Sequence, residues 1–281
     1  MTRRELLDRL PRGLAAALAG RDALIAEIWR EGPRVFLRAN SKSGALLGRY
    51  SRDPLDEIRY KHELAVRRVI GAHGFLRTPA VLDDGSGWLL ESAIETEPCR
   101  GAHAVDTVVT AASALADLRL PEVPRELRPP RRWRNELQVA LNIGSSGMSY
   151  GDYRAARRVL ATSPLPNVTS HGDFRPDKVL LRAGAAWVID WESSGSKPAG
   201  YDLMQFWCEL ERVGDRERLF VSTLELVGMR RRRELERLRF AVAVVTATKT
   251  LIAPETGVHD RDRERRLLSL VLEARESADT I

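Results

Sequence analysis

Residues 170–181 read SHGDFRPDKVLL, and residues 188–191 read VIDW. In the first stretch Asp173 follows a glycine in a short loop that leads into the apolar run 179–181. In the second stretch Asp190 directly follows the apolar run 186–189. Apolar runs separated by a short turn are typical of a β-hairpin. The pattern therefore predicts a hairpin that turns at residues 183–184, with one carboxylate before it and one after it.

The two aspartates also have a purely structural interpretation, because aspartate often caps a turn or ends a strand. We favour a functional pair instead. A glycine precedes Asp173 and an apolar strand precedes Asp190, and capping alone does not require both features in one hairpin.

The segment resembles the signature of the aminoglycoside phosphotransferase and choline kinase family, small-molecule kinases that share the two-lobed protein-kinase fold. That signature is His-Gly-Asp, four residues, Asn, a short hairpin, and Ile-Asp-Trp or Ile-Asp-Phe. Here it corresponds to residues 171–173, to Lys178 in the place of the Asn, and to residues 189–191. The downstream Tyr-Asp-Leu at 201–203 strengthens the match. The resemblance implies an α+β, bilobal fold with a small β-rich N-lobe at 1–92 and a large, mostly helical C-lobe at 93–281.

The resemblance also implies a reaction, in which the γ-phosphate of ATP passes to a hydroxyl group of a small molecule or a modified peptide. Asp173 is then the catalytic base that orients the acceptor hydroxyl, and Asp190 is the ligand of Mg²⁺. His171 is expected to hold the loop by hydrogen bonds without transferring protons. Asp202 is expected to stabilise the loop or an adjacent helix.

Lys178 is the main departure from the family pattern. An ammonium has no lone pair to offer a metal ion, so Lys178 cannot act as the usual amide ligand. Either it contacts the phosphates as a point charge in place of a second Mg²⁺, or it points to solvent from a site that has lost activity. Arg175 is expected to add a second positive contact to the phosphates.

A second departure lies in the small lobe, where kinases pair a strand lysine with a helix glutamate to hold phosphates. Glu63 is the candidate glutamate. The strand 45–50 contains no lysine, so Gly48 or Arg49 occupies its place. Arg49 either binds phosphate or faces solvent.

The nucleotide-binding segments are weaker signals. The turn at residues 30–33 has one glycine, and Pro33 has no N–H to donate to phosphate. The stretch WLLESA at 88–93 is interpreted as a hinge, in which backbone groups of Glu91 and Ala93 pair with adenine. An apolar strand that enters a linker needs no ligand to explain it, so this assignment stays open.

Bulk composition limits the other classes of function. The chain has 281 residues, 43% of them hydrophobic, and no apolar run of the length that a membrane span needs. The N-terminus carries charges where a signal peptide needs an apolar stretch. Two cysteines do not make a disulfide framework, so we expect a cytoplasmic protein. The net charge is +6, but the basic run 230–233 precedes acidic residues on a predicted helix. We interpret that run as a solvated face and expect no nucleic-acid partner.

Local patterns predict the elements in order. Helices are expected at 5–18, 56–70, 107–118, 132–141 and 152–160, and strands at 24–29, 35–39, 45–50, 79–82 and 88–90.

The acceptor stays open between an antibiotic, an amino alcohol, a sugar and a Ser/Thr hydroxyl on a peptide. Acidic and arginine residues alternate along 209–218, which does not favour an aminoglycoside cleft. The alternative function is a pseudokinase-like scaffold that binds a protein partner through a degenerate nucleotide site. An ordered pocket beside Asp173 would favour the enzyme, and an interlobe cleft filled by side chains would favour the scaffold.

Overall fold

A computed structural model describes residues 8–71, 75–94, 102–127, 148–182, 185–252 and 261–279, together with Glu5, Cys99 and Ile143. The N-terminal part is built on a β-sheet and the C-terminal part is mostly helical, as the sequence predicts. The predicted helix at 132–141 and the hairpin turn at 183–184 lie outside the described residues.

The N-lobe contains a five-stranded antiparallel sheet. Its strands are β1 (Leu24–Glu31), β2 (Arg34–Ser41), β3 (Gly44–Ser51), β5 (Val81–Gly85) and β6 (Trp88–Ser92). Their order in the sheet is β1-β2-β3-β6-β5. The helix α1 (Arg12–Ala19) packs against β5 and β6, and α2 (Pro54–Gly71) follows β3. Gly32 has φ +56° in the turn between β1 and β2, a conformation that glycine adopts without strain.

The predicted opening helix at 5–18 is interrupted. Glu5 is helical, residues 8–11 are not, and a helix begins at Arg12, after Pro11 in an extended conformation with ψ 136°. Proline disfavours a helical conformation in the residue before it and lacks the N–H for an intrahelical bond. Pro11 therefore begins a helix here and cannot lie inside one.

Gly48 allows the strand β3 to approach the core residue Leu37. A Cβ at Gly48 would lie 2.9 Å from the side chain of Leu37, which is fully buried. Side chains alternate across a strand, so Arg49 faces the opposite side of the sheet. Of the two candidates for the strand-lysine position, Arg49 is therefore the one that can reach α2.

The C-lobe is made of helices and short strand pairs around one apolar core. Its α-helices with described bounds are α3 (Ala102–Ala116), α4 (Tyr150–Thr162), α5 (Tyr201–Trp207), α6 (Val213–Val227), α7 (Arg232–Ile252) and α8 (Arg261–Asp279). β7 (Asn167–Ser170) pairs with β10 (Gly195–Pro198), and β8 (Val179–Arg182) pairs with β9 (Ala185–Val188). A short strand β4 (Leu76–Arg77) adds to β9 in parallel and so connects the two lobes.

The two cysteines and the arginine run 230–233 have defined places in the fold. Cys99 and Cys208 are free and buried. Arg230 and Arg231 lie in a short 3-10 turn ahead of α7, and Arg232 and Arg233 are exposed in its first turn. Within the part of the chain that the structure describes, no helix has the length and apolarity to span a membrane.

The sheet core gives a test of the N-lobe. We expect Leu37→Ala to lower the free energy of unfolding by about 2–5 kcal/mol, because it leaves a cavity between β2 and β3. The matched control is Leu24→Ala, since Leu24 is 77% exposed on β1, and its effect should stay within about 0.5 kcal/mol. Equilibrium denaturant unfolding measures both; equal losses would contradict the packing described.

Candidate active site

The loop that carries Asp173 is fixed by one buried carboxylate. Asp202, in the first turn of α5, accepts hydrogen bonds from Ser170 Oγ (2.6 Å) and from the backbone N–H groups of His171 (2.7 Å) and Gly172 (3.0 Å). Its side chain is buried with the loop. Asp202 thus has the stabilising position that the sequence analysis expected, and it orders the backbone immediately before Asp173.

His171 joins this loop to the end of β9. Its Nε2 lies 2.9 Å from the carbonyl oxygen of Ile189, and its Nδ1 lies 3.3 Å from the backbone nitrogen of Asp173. Nε2–H therefore donates to Ile189, and Nδ1 accepts from the amide of Asp173. The ring also packs edge-on against Trp191, with centroids 4.7 Å apart. Through these contacts the buried His171 connects the segment of Asp173 with the segment of Asp190.

Gly172 permits the close approach of those segments. Its φ is +79°, and a Cβ there would lie 2.1 Å from the carbonyl oxygen of Ser193. No other residue type fits both the backbone conformation and the available space.

Asp173 lies at the partly exposed end of the loop, and its nearest cation is Arg175. Arg175 Nη2 is 3.2 Å from Asp173 Oδ2 and 3.4 Å from Asp177 Oδ2. The side chain of Asp173 is 24% exposed, so its carboxylate is within reach of a ligand.

Asp190 pairs with Lys178. The hydrogen bond from Ile189 N–H to the carbonyl oxygen of Lys178 extends the β8–β9 ladder to this point, and Lys178 Nζ lies 2.7 Å from Asp190 Oδ2. Asp190 itself has φ +68° and ψ +61°, a left-handed conformation that turns the chain out of the strand. Burial tends to raise the pKa of Asp190, but Lys178 and, more weakly, Arg49 lower it to about 2.

Arg49 and Glu63 are paired, and two further charged residues join them. Arg49 Nη2 donates to Glu63 Oε1 at 2.6 Å, and Arg67 Nη2 donates to the same oxygen at 2.5 Å. Arg67 Nη1 also donates to Glu91 Oε2. All four side chains are buried, and their formal charges cancel. Burial tends to raise the pKa of Glu63, but Arg49 and Arg67 together lower it. We call these four residues the buried quartet.

The quartet resolves the alternative left open for Arg49, since its side chain is not directed to solvent. Arg67 was missed from the sequence. Its spacing of four residues from Glu63 on a helix was the available signal.

The segment interpreted as a hinge is partly committed to the sheet. Glu91 pairs through its backbone with Leu47 and Val81, and its side chain belongs to the buried quartet. The N–H of Ala93 donates to the carbonyl oxygen of Ala45 at 2.9 Å. An adenine ring beside Ala93 would therefore pair with the carbonyl oxygen of Ala93 and not with its backbone N–H.

A second contact between the lobes was also not anticipated. Arg34 of β2 donates to Asp56 Oδ1 at 2.9 Å and to Glu192 Oε2 at 2.5 Å. Glu192 lies two residues after Asp190, and His62 of α2 contacts Ser194 in the same segment, with Nε2 and Oγ 3.3 Å apart. The sheet, α2 and the segment after Asp190 are therefore held together by polar contacts.

A cavity of about 700 Å³ opens beside the loop, and among the described residues it is lined by Arg175, Pro176 and Asp177 on that side. The opposite wall comes from the α5–α6 connection and the start of α8. The charged residues that line the cavity on both sides are Asp177, Glu209, Glu211, Asp215, Asp262, Arg175, Arg212, Arg263 and Arg266. Arg263 and Arg266 both bind the carboxylate of Glu209. The lining is therefore of mixed charge.

The carboxylates suit a magnesium ion that arrives with phosphate ligands. Among the described residues no three His, Cys, Asp or Glu side chains converge closely enough to hold a metal by themselves. Magnesium in nucleotide sites takes one or two protein carboxylates, with phosphate oxygens and water as the remaining ligands. Asp190 is one such carboxylate, so the donor set fits a nucleotide-borne ion.

Comparisons with known proteins agree with this architecture. The family model described as "Phosphotransferase enzyme family" matches residues 25–241. No curated protein matched the sequence.

Similar solved structures include choline kinase LicA from Streptococcus pneumoniae, with 12% identity, a TM-score of 0.63 and coverage of 100% of both chains. Macrolide 2'-phosphotransferase MphH from Brachybacterium faecium has 16% identity and a TM-score of 0.61, over 90% of this chain and 97% of that one. A thermostable variant of aminoglycoside phosphotransferase APH(4)-Ia, in a ternary complex with ADP and hygromycin B, has 14% identity and a TM-score of 0.59, over 94% and 97%. The fold is thus protein-kinase-like.

The hydrogen bonds to Asp202 lead to a stability prediction. Asp202→Ala should lower the free energy of unfolding by about 2–4 kcal/mol, because it leaves buried N–H groups of the loop without an acceptor. Asp84→Ala, at an exposed position on β5, serves as the control and should change it by less than about 0.5 kcal/mol. Denaturant unfolding followed by circular dichroism gives both values. A loss in Asp202→Ala no larger than in the control would show that the loop does not depend on this carboxylate.

Proposed function

The chain belongs to the phosphotransferase enzyme family, and we propose that it transfers the γ-phosphate of ATP, with magnesium, to a hydroxyl group of a small molecule or a modified peptide. Asp173 is the proposed catalytic residue and Asp190 the proposed metal ligand. Arg49, Arg175 and Lys178 are the proposed cations around the phosphates.

The observation that carries this proposal is the cavity beside Asp173. Arg175 lines it and at the same time contacts the carboxylate of Asp173. The space is large enough for a small-molecule acceptor, since ligand pockets commonly measure about 300–1,000 Å³. Asp173 is not among the described residues that line the cavity, so Arg175 is the residue that connects an acceptor bound there with the proposed catalytic carboxylate.

In the proposed reaction the acceptor hydroxyl donates a hydrogen bond to Asp173. The hydroxyl oxygen forms a bond to the γ-phosphorus, the bond from that phosphorus to the β–γ bridging oxygen breaks, and Asp173 receives the hydroxyl proton. Phosphoryl transfer has a loose transition state, so correct placement of the hydroxyl matters more than the basicity of Asp173. The hydrogen bonds to Asp202 and His171 supply that placement by fixing the loop.

Asp190 and the quartet form the proposed nucleotide side. Asp190 would hold the magnesium ion, which would supply positive charge to offset that of the phosphates. Arg49 lies near enough to Asp190 for each to shift the other's pKa. Glu63, at 2.6 Å, and Glu91, at 3.8 Å, hold its guanidinium in place. The carbonyl oxygen of Ala93 is the proposed partner of the adenine amino group, because the N–H of Ala93 and the backbone of Glu91 are already paired within the sheet.

The mixed charge of the cavity bears on the acceptor. A polycation such as an aminoglycoside is best bound by a surplus of acidic groups, but four arginines line the cavity with five acids. Glu209 is neutralised by Arg263 and Arg266. We therefore favour an acceptor that carries few or mixed charges.

The scaffold alternative has one observation in its favour, the ion pair between Lys178 and Asp190. If that pair excluded magnesium, the chain would bind a protein partner without transferring phosphate. The two functions differ in whether ATP binds, and in whether magnesium strengthens that binding.

Calorimetric titration of ATP, with and without Mg²⁺, tests the proposal first. We expect binding that magnesium strengthens at least about tenfold, and we expect Asp190→Ala to remove that dependence, because the carboxylate is the proposed ligand. Asp84→Ala should behave as the wild type. No binding at millimolar ATP, in the wild type, would reject the proposed function and leave the scaffold.

Asp173→Asn separates transfer from nucleotide binding. The variant should lose at least about 100-fold in transfer rate, since a neutral amide accepts a weaker hydrogen bond than a carboxylate, positions the acceptor hydroxyl less firmly, and cannot take up its proton. Its affinity for ATP should stay within about threefold of wild type, because Asp173 contributes to the acceptor side of the site. Coupled-enzyme detection of ADP, together with calorimetry, measures the two quantities. An equal loss of ATP affinity would move Asp173 out of the catalytic role.

A further inference from the structure

Hydrogen bonds of the hairpin fix the backbone of Lys178. Its N–H donates to the carbonyl oxygen of Arg175, and its own carbonyl oxygen accepts from the N–H of Ile189. Val179 pairs with Val188 next to it. Lys178 therefore stands across the ladder from the residue that precedes Asp190, and its ammonium reaches that carboxylate.

The ammonium of Lys178 is in direct contact with one oxygen of the Asp190 carboxylate. Lys178 Nζ is 2.7 Å from Asp190 Oδ2 and 3.7 Å from Asp177 Oδ2, and the lysine side chain is 19% exposed. An ammonium donates three hydrogen bonds and accepts none, so it competes with a metal ion and cannot bind one. Among the described residues the ion pair with Lys178 uses Oδ2, so Oδ1 would remain to hold a magnesium ion.

Charge balance around Asp190 supports the same conclusion. Arg49 lies near Asp190, but its charge is offset within the buried quartet, so Lys178 is the cation in direct contact with Asp190. A second divalent ion beside this ammonium would repel it at a few ångströms in a partly buried site, where like charges interact strongly. A fixed ammonium and a single divalent ion together provide positive charge without that repulsion.

We propose that Lys178 replaces one divalent cation, so that the nucleotide binds to this chain with one metal ion and the lysine ammonium contacts the phosphate oxygens directly. This inference rests on the proposed function, because it needs a nucleotide in the site. It also gives Lys178 a positive role, in contrast to a substitution that merely removed a ligand. The pair with Asp190 then holds the ammonium in place until phosphate oxygens share it.

The test counts metal ions directly and does not require turnover. Mn²⁺ bound per complex is measured by electron paramagnetic resonance in the presence of the non-hydrolysable analogue AMP-PNP, with the same nucleotide without protein as the blank. We expect one Mn²⁺ in the wild type and two in Lys178→Asn, which restores an amide oxygen. Calorimetry with AMP-PNP and Mg²⁺ should show Lys178→Met weakened at least about tenfold, as expected for the loss of a charge-assisted hydrogen bond.

Two controls keep the result interpretable. Lys42→Met removes a lysine that is 88% exposed in the turn between β2 and β3 and should leave AMP-PNP affinity unchanged. Lys178→Arg keeps the charge and should retain one Mn²⁺. Thermal unfolding of each variant establishes that it is folded.

The outcomes separate this inference from the proposed function. Two Mn²⁺ in the wild type, one in Lys178→Asn, or unchanged AMP-PNP affinity in Lys178→Met would each overturn the role of Lys178 while leaving a working nucleotide site. A wild-type protein that binds no AMP-PNP with either metal would overturn the proposed function, and this inference with it.

Discussion

The site depends on the hydrogen bonds that Asp202 accepts from residues 170–172. A loop backbone with buried N–H groups is costly unless each finds an acceptor, and a charged acceptor gives the stronger bonds. Because α5 holds Asp202 in its buried first turn, the loop takes its position from the C-lobe core. Asp173 lies directly after these bonds, so its direction follows from them.

The charged residues around the candidate site occur in balanced groups. The buried quartet pairs two arginines with two glutamates, and Lys178 pairs with Asp190. An unpaired buried charge costs several kcal/mol, about 3–5 when one partner of a pair is removed. The departures from the family pattern at Arg49 and Lys178 are thus accommodated by partners close by. This argues that the two cations are integrated parts of the site, whatever ligand it takes.

How much the sequence predicted depended on how local the signal was. The five strands and the helix at 56–70 were confirmed to within a few residues, because alternating apolar runs and glycine turns act over short distances. Asp173 and Asp190 were placed by a compact motif. The predicted opening helix is interrupted at residues 8–11, because proline disfavours a helical conformation in the residue before it and Pro11 precedes the helix Arg12–Ala19.

The contacts that the sequence could not provide join residues far apart along the chain. Glu91 meets Arg67 only because α2 packs against β6, which lies beside β3 in the sheet, and Arg34 meets Glu192 across 158 positions. Neither partner carries a local pattern that names the other, so sheet order had to be known first. The same argument applies to Lys178. Its identity as a non-ligand follows from chemistry, but its contact with Asp190 follows from the register of β8 and β9, which places the two side chains at one end of the hairpin.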